Sequence, residues 1–273
     1  MKKHLLFILL PIFIAGGCKF QKLRKTGSWE EKYAKALEYY EEKDYYRSNV
    51  LLEDILPIIR GTKEAELANF YYPYTYFYQD QFILSAHYFN LFAEVYSRSD
   101  YAMEAEYMHA YSLYKQSPEY KLDQSSTYEA IAALQNFINN YPYSEFAGQA
   151  DSIIDELQVK LEYKAYMQAK LYNKIGRFKS AAVTFDNFRK DYPDSKYNEE
   201  ILFLSIRNWY DYAVISIPSK QEERFTKAID LYEKFIDQYE NSEYLQDAEQ
   251  IYTKSLKELS NFAVRNNTNN NGS

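Results

Sequence analysis

Few side chains in this chain could do chemistry, and their placement limits what that chemistry could be. The thiol is single, Cys18. It follows Ala15, Gly16 and Gly17, which close an apolar run from Leu5 to Ile14 headed by Lys2 and Lys3. A short cationic start, an apolar run and small residues at a cut form an export signal, and about ten apolar residues are too few to span a bilayer permanently. A Cys just past such a cut is placed for modification, and a lone Cys excludes an intrachain disulfide. His4 leaves with the signal, so two imidazoles remain, His87 and His109, both within aromatic helical stretches where packing or surface roles are expected. Paired carboxylates such as Glu41 with Glu42 and Glu222 with Glu223 sit at polar helix ends, where solvation explains them. No Gly-rich phosphate loop, metal-spaced His pair or nucleophile elbow occurs. The expectation is a protein without catalytic residues, metal or cofactor.

The remaining chemical resource is aromatic. The chain carries 31 Tyr and 17 Phe among 273 residues. The densest run lies between Ala68 and Tyr78 and is interrupted by Pro73. An amphipathic helix needs apolar residues on one face only, so rings at nearly every position mean either burial all round or a ligand face. Phe70, Tyr71, Tyr74 and Tyr78 are the candidate groove residues, with burial alone the competing expectation.

These residues must be positioned by a repeated element. The fullest copy is Phe188, Tyr192, Pro193, Ser195, Tyr197. Others read Phe137, Tyr141, Pro142, Ser144, Phe146; Phe235, Tyr239, Ser242, Tyr244; and Phe92, Tyr96, Ser99, Tyr101, with a degenerate first copy at Ile55, Ile59 and Thr62. The aromatic run ends a helix, and in two copies a Pro stops it by disfavouring helical geometry in the preceding Tyr. The Ser or Thr then stands where an N-cap of the next helix is expected. Seven residues before each anchor lies a small residue: Ser48, Ser85, Ala130, Ala181, Ala228. Three before it stand Leu52, Phe89, Leu134, Phe185 and Tyr232. These positions fall within an arc of roughly 80° on one helix face, and the small residue lets a neighbouring helix approach. Anchor spacings of 37, 45, 51 and 47 residues suit two-helix repeats with insertions.

The expected fold is all-α, an α-solenoid of about five tetratricopeptide-like helix pairs. The segments are a signal peptide over 1–17, a polar lipidated tether over 18–27, N-terminal repeats over 28–143, C-terminal repeats over 144–264 and an Asn-rich disordered tail over 265–273. A helix of about thirty residues is expected from Ser144 to Ile175, ended by Gly176. The last pair is expected over Ser195 to Ser216 and Phe225 to Tyr239, with Pro218 in the break. Without residues 1–17 the chain has 30 basic and 39 acidic residues, a balance of −9. That argues against nucleic acid as a partner, because phosphate binding needs a basic surface.

The segment ending in Cys18 resembles a bacterial lipobox, in which the Cys becomes the lipidated first residue. The usual Leu three positions earlier is Ala15 here, while Gly17 fits the small residue before the Cys. Lys19 follows in place of an Asp retention signal, and the tether lacks an acidic cluster, which favours the periplasmic face of the outer membrane. Together with the repeats, the chain resembles the BamD family of tetratricopeptide lipoproteins from the outer-membrane β-barrel assembly machine. The match is carried by Ala169, Leu171, Tyr172, Gly176, Phe178, Ala182 and the run Asp191 to Ser195, with Asp123, Gln124, Phe137, Tyr141, Pro142 and Ser144 in the third repeat. The resemblance implies a non-enzymatic scaffold held to the membrane by its lipid. Its implied partners are the periplasmic domains of BamA, unfolded outer-membrane protein precursors and other subunits of the machine. C-terminal repeats would hold BamA and N-terminal repeats would receive precursors. Two other classes stay open: a tetratricopeptide adaptor lipoprotein for other periplasmic enzymes, and a glycan-binding outer-membrane lipoprotein.

Overall fold

The structure, a computed structural model, describes residues 19–270. Cys18 and the signal segment lie outside the described residues. Among the described residues every regular element is a helix. Helix α1 covers residues 19–26. It is followed by α2 (Trp29–Glu41), α3 (Tyr45–Ile55), α4 (Glu64–Phe77), α5 (Phe82–Val95), α6 (Ala102–Gln116) and α7 (Ser125–Asn140). Then come α8 (Ala147–Lys174), α9 (Phe178–Asp191), α10 (Asn198–Val214), α11 (Pro218–Gln238) and α12 (Leu245–Asn270). From α2 to α7 and from α9 to α12 the helices pack chiefly on their sequence neighbours, as in a tetratricopeptide-like solenoid.

Two compact units divide the chain inside α8, one ending at Leu157 and the other beginning at Gln158. The first contains two cores. One gathers Phe20, Tyr39, Leu51, Leu52, Ile55, Tyr72 and Tyr76. The other joins Phe70, Tyr74, Phe89, Phe92, Leu134 and Phe137 to Ala150, Ile153 and Leu157 of α8. The second unit packs Tyr166, Ala169, Ala181, Phe185, Phe188 and Ile201 in one cluster, and Leu202, Ile206, Leu231, Phe235 and Ala248 in another.

The repeat register explains this burial. The anchors Ile55, Phe92, Phe137, Phe188 and Phe235 are all buried, and so are Ser48, Ser85, Ala130, Ala181 and Ala228. In one copy the small residue makes a polar contact: the hydroxyls of Ser85 (α5) and Ser112 (α6) lie 3.0 Å apart. The aromatic two residues after the punctuating Ser stacks on a ring in the first helix of the preceding pair. Tyr101 lies on Phe70 at 4.4 Å, Phe146 on Tyr107 at 4.5 Å, Tyr197 on Tyr166 at 4.1 Å and Tyr244 on Phe203 at 4.8 Å. Each stack ties the start of one pair to the first helix of the previous one, and ring pairs add about 0.5–1.5 kcal/mol beyond their buried area.

Several local expectations are corrected. The punctuating Ser is not an N-cap; it precedes the cap by two residues in a short turn. The Ser195 hydroxyl accepts from the Tyr197 N–H at 3.1 Å and donates to Glu162 of α8. Ser99 does the same with the Tyr101 N–H and Glu66 of α4. Pro218, expected in a break, opens α11, where a residue without an N–H is tolerated because first-turn amides lack intrahelical partners. Residues 19–26 are not a polar tether but a helix, since Phe20 and Leu23 share one face and meet the core. The Asn-rich end is helical through Asn270, because extending an existing helix fixes one residue per hydrogen bond with no new nucleation cost. Gly176 follows α8 with φ of +70°, a left-handed conformation that favours Gly, and the Arg177 N–H reaches back to the Tyr172 carbonyl at 3.0 Å.

Candidate functional site

The Tyr-rich helix α4 separates its rings by face. Phe70 and Tyr74 are 5% and 8% exposed and belong to the core. That corrects half of the expected groove, because buried rings cannot meet a ligand. Tyr71 is half-buried and Tyr78 is 48% exposed. The helix continues through Pro73, which is itself buried. Its missing N–H leaves the Asn69 carbonyl without the usual helical donor. Pro73 therefore leaves the spacing of the rings helical.

Tyr71 and Tyr78 join rings from the neighbouring pair. Tyr40 of α2 lies 4.6 Å from Tyr71, and Tyr45 at the start of α3 stacks on Tyr78 at 4.5 Å. Tyr40 also contacts Tyr45 at 5.6 Å and Tyr78 at 6.3 Å. Beneath this surface the Tyr74 hydroxyl donates to Glu104 of α6. Tyr40 and Tyr45 were not among the groove residues expected from the sequence. Tyr40 was findable, since it closes α2 one turn beyond the buried Ala36. The contribution of Tyr45 depends on contacts between helices, which no single-helix pattern records.

The electrostatics of the face are uniform. Burial raises the Tyr71 phenol above its ordinary value, and Glu41, Tyr101 and Glu104 raise it further. Tyr45 is raised by burial, Tyr78 and Glu41. Tyr40 and Tyr74 are raised strongly, chiefly by burial, with Tyr78 next for Tyr40 and the Glu104 hydrogen bond next for Tyr74. Phenols held protonated are poor nucleophiles; they offer flat apolar surface and a hydrogen-bonding edge. Glu41 and Glu104 add negative charge. Such a face can bind an extended chain bearing aromatic and cationic side chains.

The other singled-out residues hold the frame. Phe92, Phe137, Phe188 and Phe235 fill the cores, and Tyr141 and Tyr192 lean on their anchors at 5.5 and 5.2 Å. Tyr141 also donates to Glu106 at 2.8 Å. The Ser242 hydroxyl accepts from the Tyr244 N–H at 3.0 Å, whereas the buried Ser144 hydroxyl has no hydrogen-bond partner. His109 places Nδ1 2.9 Å from the Ala86 carbonyl, and exposed His87 lies against Tyr88. Among the described residues no cluster of His, Cys, Asp and Glu could hold a metal ion.

Helix pairs locked by buried anchors, carrying a face of neutral phenols and carboxylates, define a helical-repeat binding scaffold. A family described as outer membrane lipoprotein, YfiO, matches residues 26–224, and the chain belongs to that family. A relative from Aquifex aeolicus (strain VF5), provisionally named outer membrane protein assembly factor BamD, is 25% identical over 204 residues, 74% of this chain and 67% of its own length. The outer membrane protein assembly factor BamD of Caulobacter vibrioides is 28% identical over 112 residues, 41% of this chain and 37% of its own. Family membership places the chain among lipid-anchored proteins of the outer membrane. Among the described residues no helix is long and apolar enough to cross a membrane.

Proposed function

We propose that this chain is an assembly factor for outer-membrane β-barrel proteins that acts by binding alone. It is held at the periplasmic face of the outer membrane by lipid on Cys18. Its N-terminal repeats receive unfolded barrel precursors across the face of Tyr40, Tyr45, Tyr71 and Tyr78, and its C-terminal repeats dock the periplasmic domains of BamA. The observation that carries this reading is the family match over residues 26–224, which takes in α2 through α10. The Tyr face supports the precursor half: Tyr rings give large contact area for little lost side-chain entropy, which suits loose recognition of many aromatic-ended segments.

The test replaces the two accessible rings of α4, Tyr71→Ala with Tyr78→Ala, and first checks helicity and melting. Crosslinking to a barrel precursor should fall while co-purification with BamA persists. Retained precursor crosslinking with lost BamA would reverse the assignment of the two halves.

A further inference from the structure

The strongest reversal of charge in the chain lies beside Cys18. Residues 19–25 contain Lys19, Lys22, Arg24 and Lys25 and no carboxylate. Residues 26–273 hold the remaining 26 basic and 39 acidic residues, a balance of −13. A loose tether would spread those cations through solvent. Here they are fixed on α1, which is fastened to α2 and α3. Phe20 is 5% exposed and meets the Tyr39 ring edge-on at 6.0 Å, and Leu23 packs on the same core. Arg24 pairs with Asp54 of α3 at 3.2 Å, and the same carboxylate lies 3.7 Å from Lys32 of α2. The turn into α2 is tight: a Cβ on Gly27 would lie 2.6 Å from the Leu23 side chain and 2.7 Å from its carbonyl. Ser28 and Glu31 then close a reciprocal capping box at the start of α2.

With Phe20, Leu23 and Arg24 turned to the body, the other three cations occupy a different face. Lys19, Lys22 and Lys25 recur at three-residue spacing over an arc of about 120°. All three are exposed, and among the described residues none has a carboxylate within 4 Å. An acidic body next to an anionic membrane is repelled by it, whereas this strip is complementary to it.

We propose that α1 is a rigid membrane-facing foot, whose Lys19, Lys22 and Lys25 contact the phosphates of anionic lipid headgroups and set how the first unit stands on the bilayer. This rests on lipid attachment at Cys18, which puts Lys19 next to the headgroups. The lipid supplies attachment and the strip supplies orientation. Because α1 is docked through its apolar face, orienting α1 orients the helices packed on it.

The experiment uses the full lipidated chain in phosphatidylcholine vesicles and in vesicles doped with phosphatidylglycerol. Acetylation of individual lysines is followed by mass spectrometry. In the doped vesicles Lys22 and Lys25 should react more slowly by about fivefold, the factor matching one cation near an anionic surface, and raised salt should abolish the difference. Lys227, exposed on α11, should not change. Lys22→Glu should stay on both vesicle types and melt like the parent, yet the slowing at Lys25 should shrink. Equal rates for Lys22 and Lys25 in both vesicle types, or equal slowing at Lys227, would overturn the proposal. Release of the parent chain from undoped vesicles would instead contradict lipid attachment and remove the premise.

Discussion

Ala181 offers the sharpest perturbation of the repeat. It is fully buried in α9, in a cluster with Tyr166, Ala169, Phe185, Phe188 and Ile201. The same register position is small in every copy because a neighbouring helix passes over it. Ala181→Leu adds three carbon atoms where the surrounding rings leave no exposed surface, so the helices must separate or the Leu must leave its preferred rotamer. Overpacking of this kind costs about 1–3 kcal/mol. Lys179, two residues away on the exposed side of α9, provides the control, and Lys179→Ala should stay within about 0.5 kcal/mol. Urea denaturation followed by circular dichroism measures both. The Leu variant should lower the midpoint with an unchanged slope, since a stability change without a change in exposed area moves the midpoint alone. Equal midpoints for the two variants would refute the register.

Other perturbations test separate parts of the account. Ser195→Ala should cost about 1.5–3 kcal/mol, because it removes a hydrogen bond to the Glu162 carboxylate and one from the Tyr197 amide. Ser144→Ala should cost under about 0.5 kcal/mol or stabilise, since its buried hydroxyl has no partner. Burial, then Tyr111, pushes the Tyr107 phenol up to about 12 from its ordinary value of 10.0. Above pH 10 the unfolded chain therefore loses this proton before the folded one does. Its contribution to stability is full below about pH 10 and falls as pH rises toward about 12. Tyr107→Phe should reduce that alkaline loss in denaturation curves, and it also removes a buried hydroxyl without a hydrogen-bond partner. Cys18→Ser should abolish labelling by radioactive fatty acid and leave the chain soluble or unprocessed.

The repeat was legible because its determinants are local and periodic. An anchor, a small residue seven positions earlier and an aromatic after the Ser recur along the chain whatever each helix touches. The stacking partners Phe70, Tyr107, Tyr166 and Phe203 were not legible, since they lie on the first helices, 31 to 41 residues before the rings they meet. For the same reason the run from Phe70 to Tyr78 presented seven aromatics with nothing to separate Tyr74, buried and bonded to Glu104, from Tyr78, exposed and stacked on Tyr45. Composition made residues 19–27 look like a tether because lysines dominate it. Two apolar residues on one face, Phe20 and Leu23, were enough to dock it once Tyr39 and Arg47 were beside them. Pro218 carried an ambiguity intrinsic to Pro, which ends a helix from outside and starts one from its first turn.

We propose that this chain works as a bound subunit of the machinery that assembles outer-membrane barrels. The direct measurement is affinity purification of the tagged, lipidated protein from detergent-solubilised native membranes, with the co-purifying chains identified by mass spectrometry. A barrel protein of the BamA type in stoichiometric amount, retained after Tyr71→Ala with Tyr78→Ala, is the expected result. Recovery of the chain with envelope enzymes or glycan and without any such barrel would contradict the account.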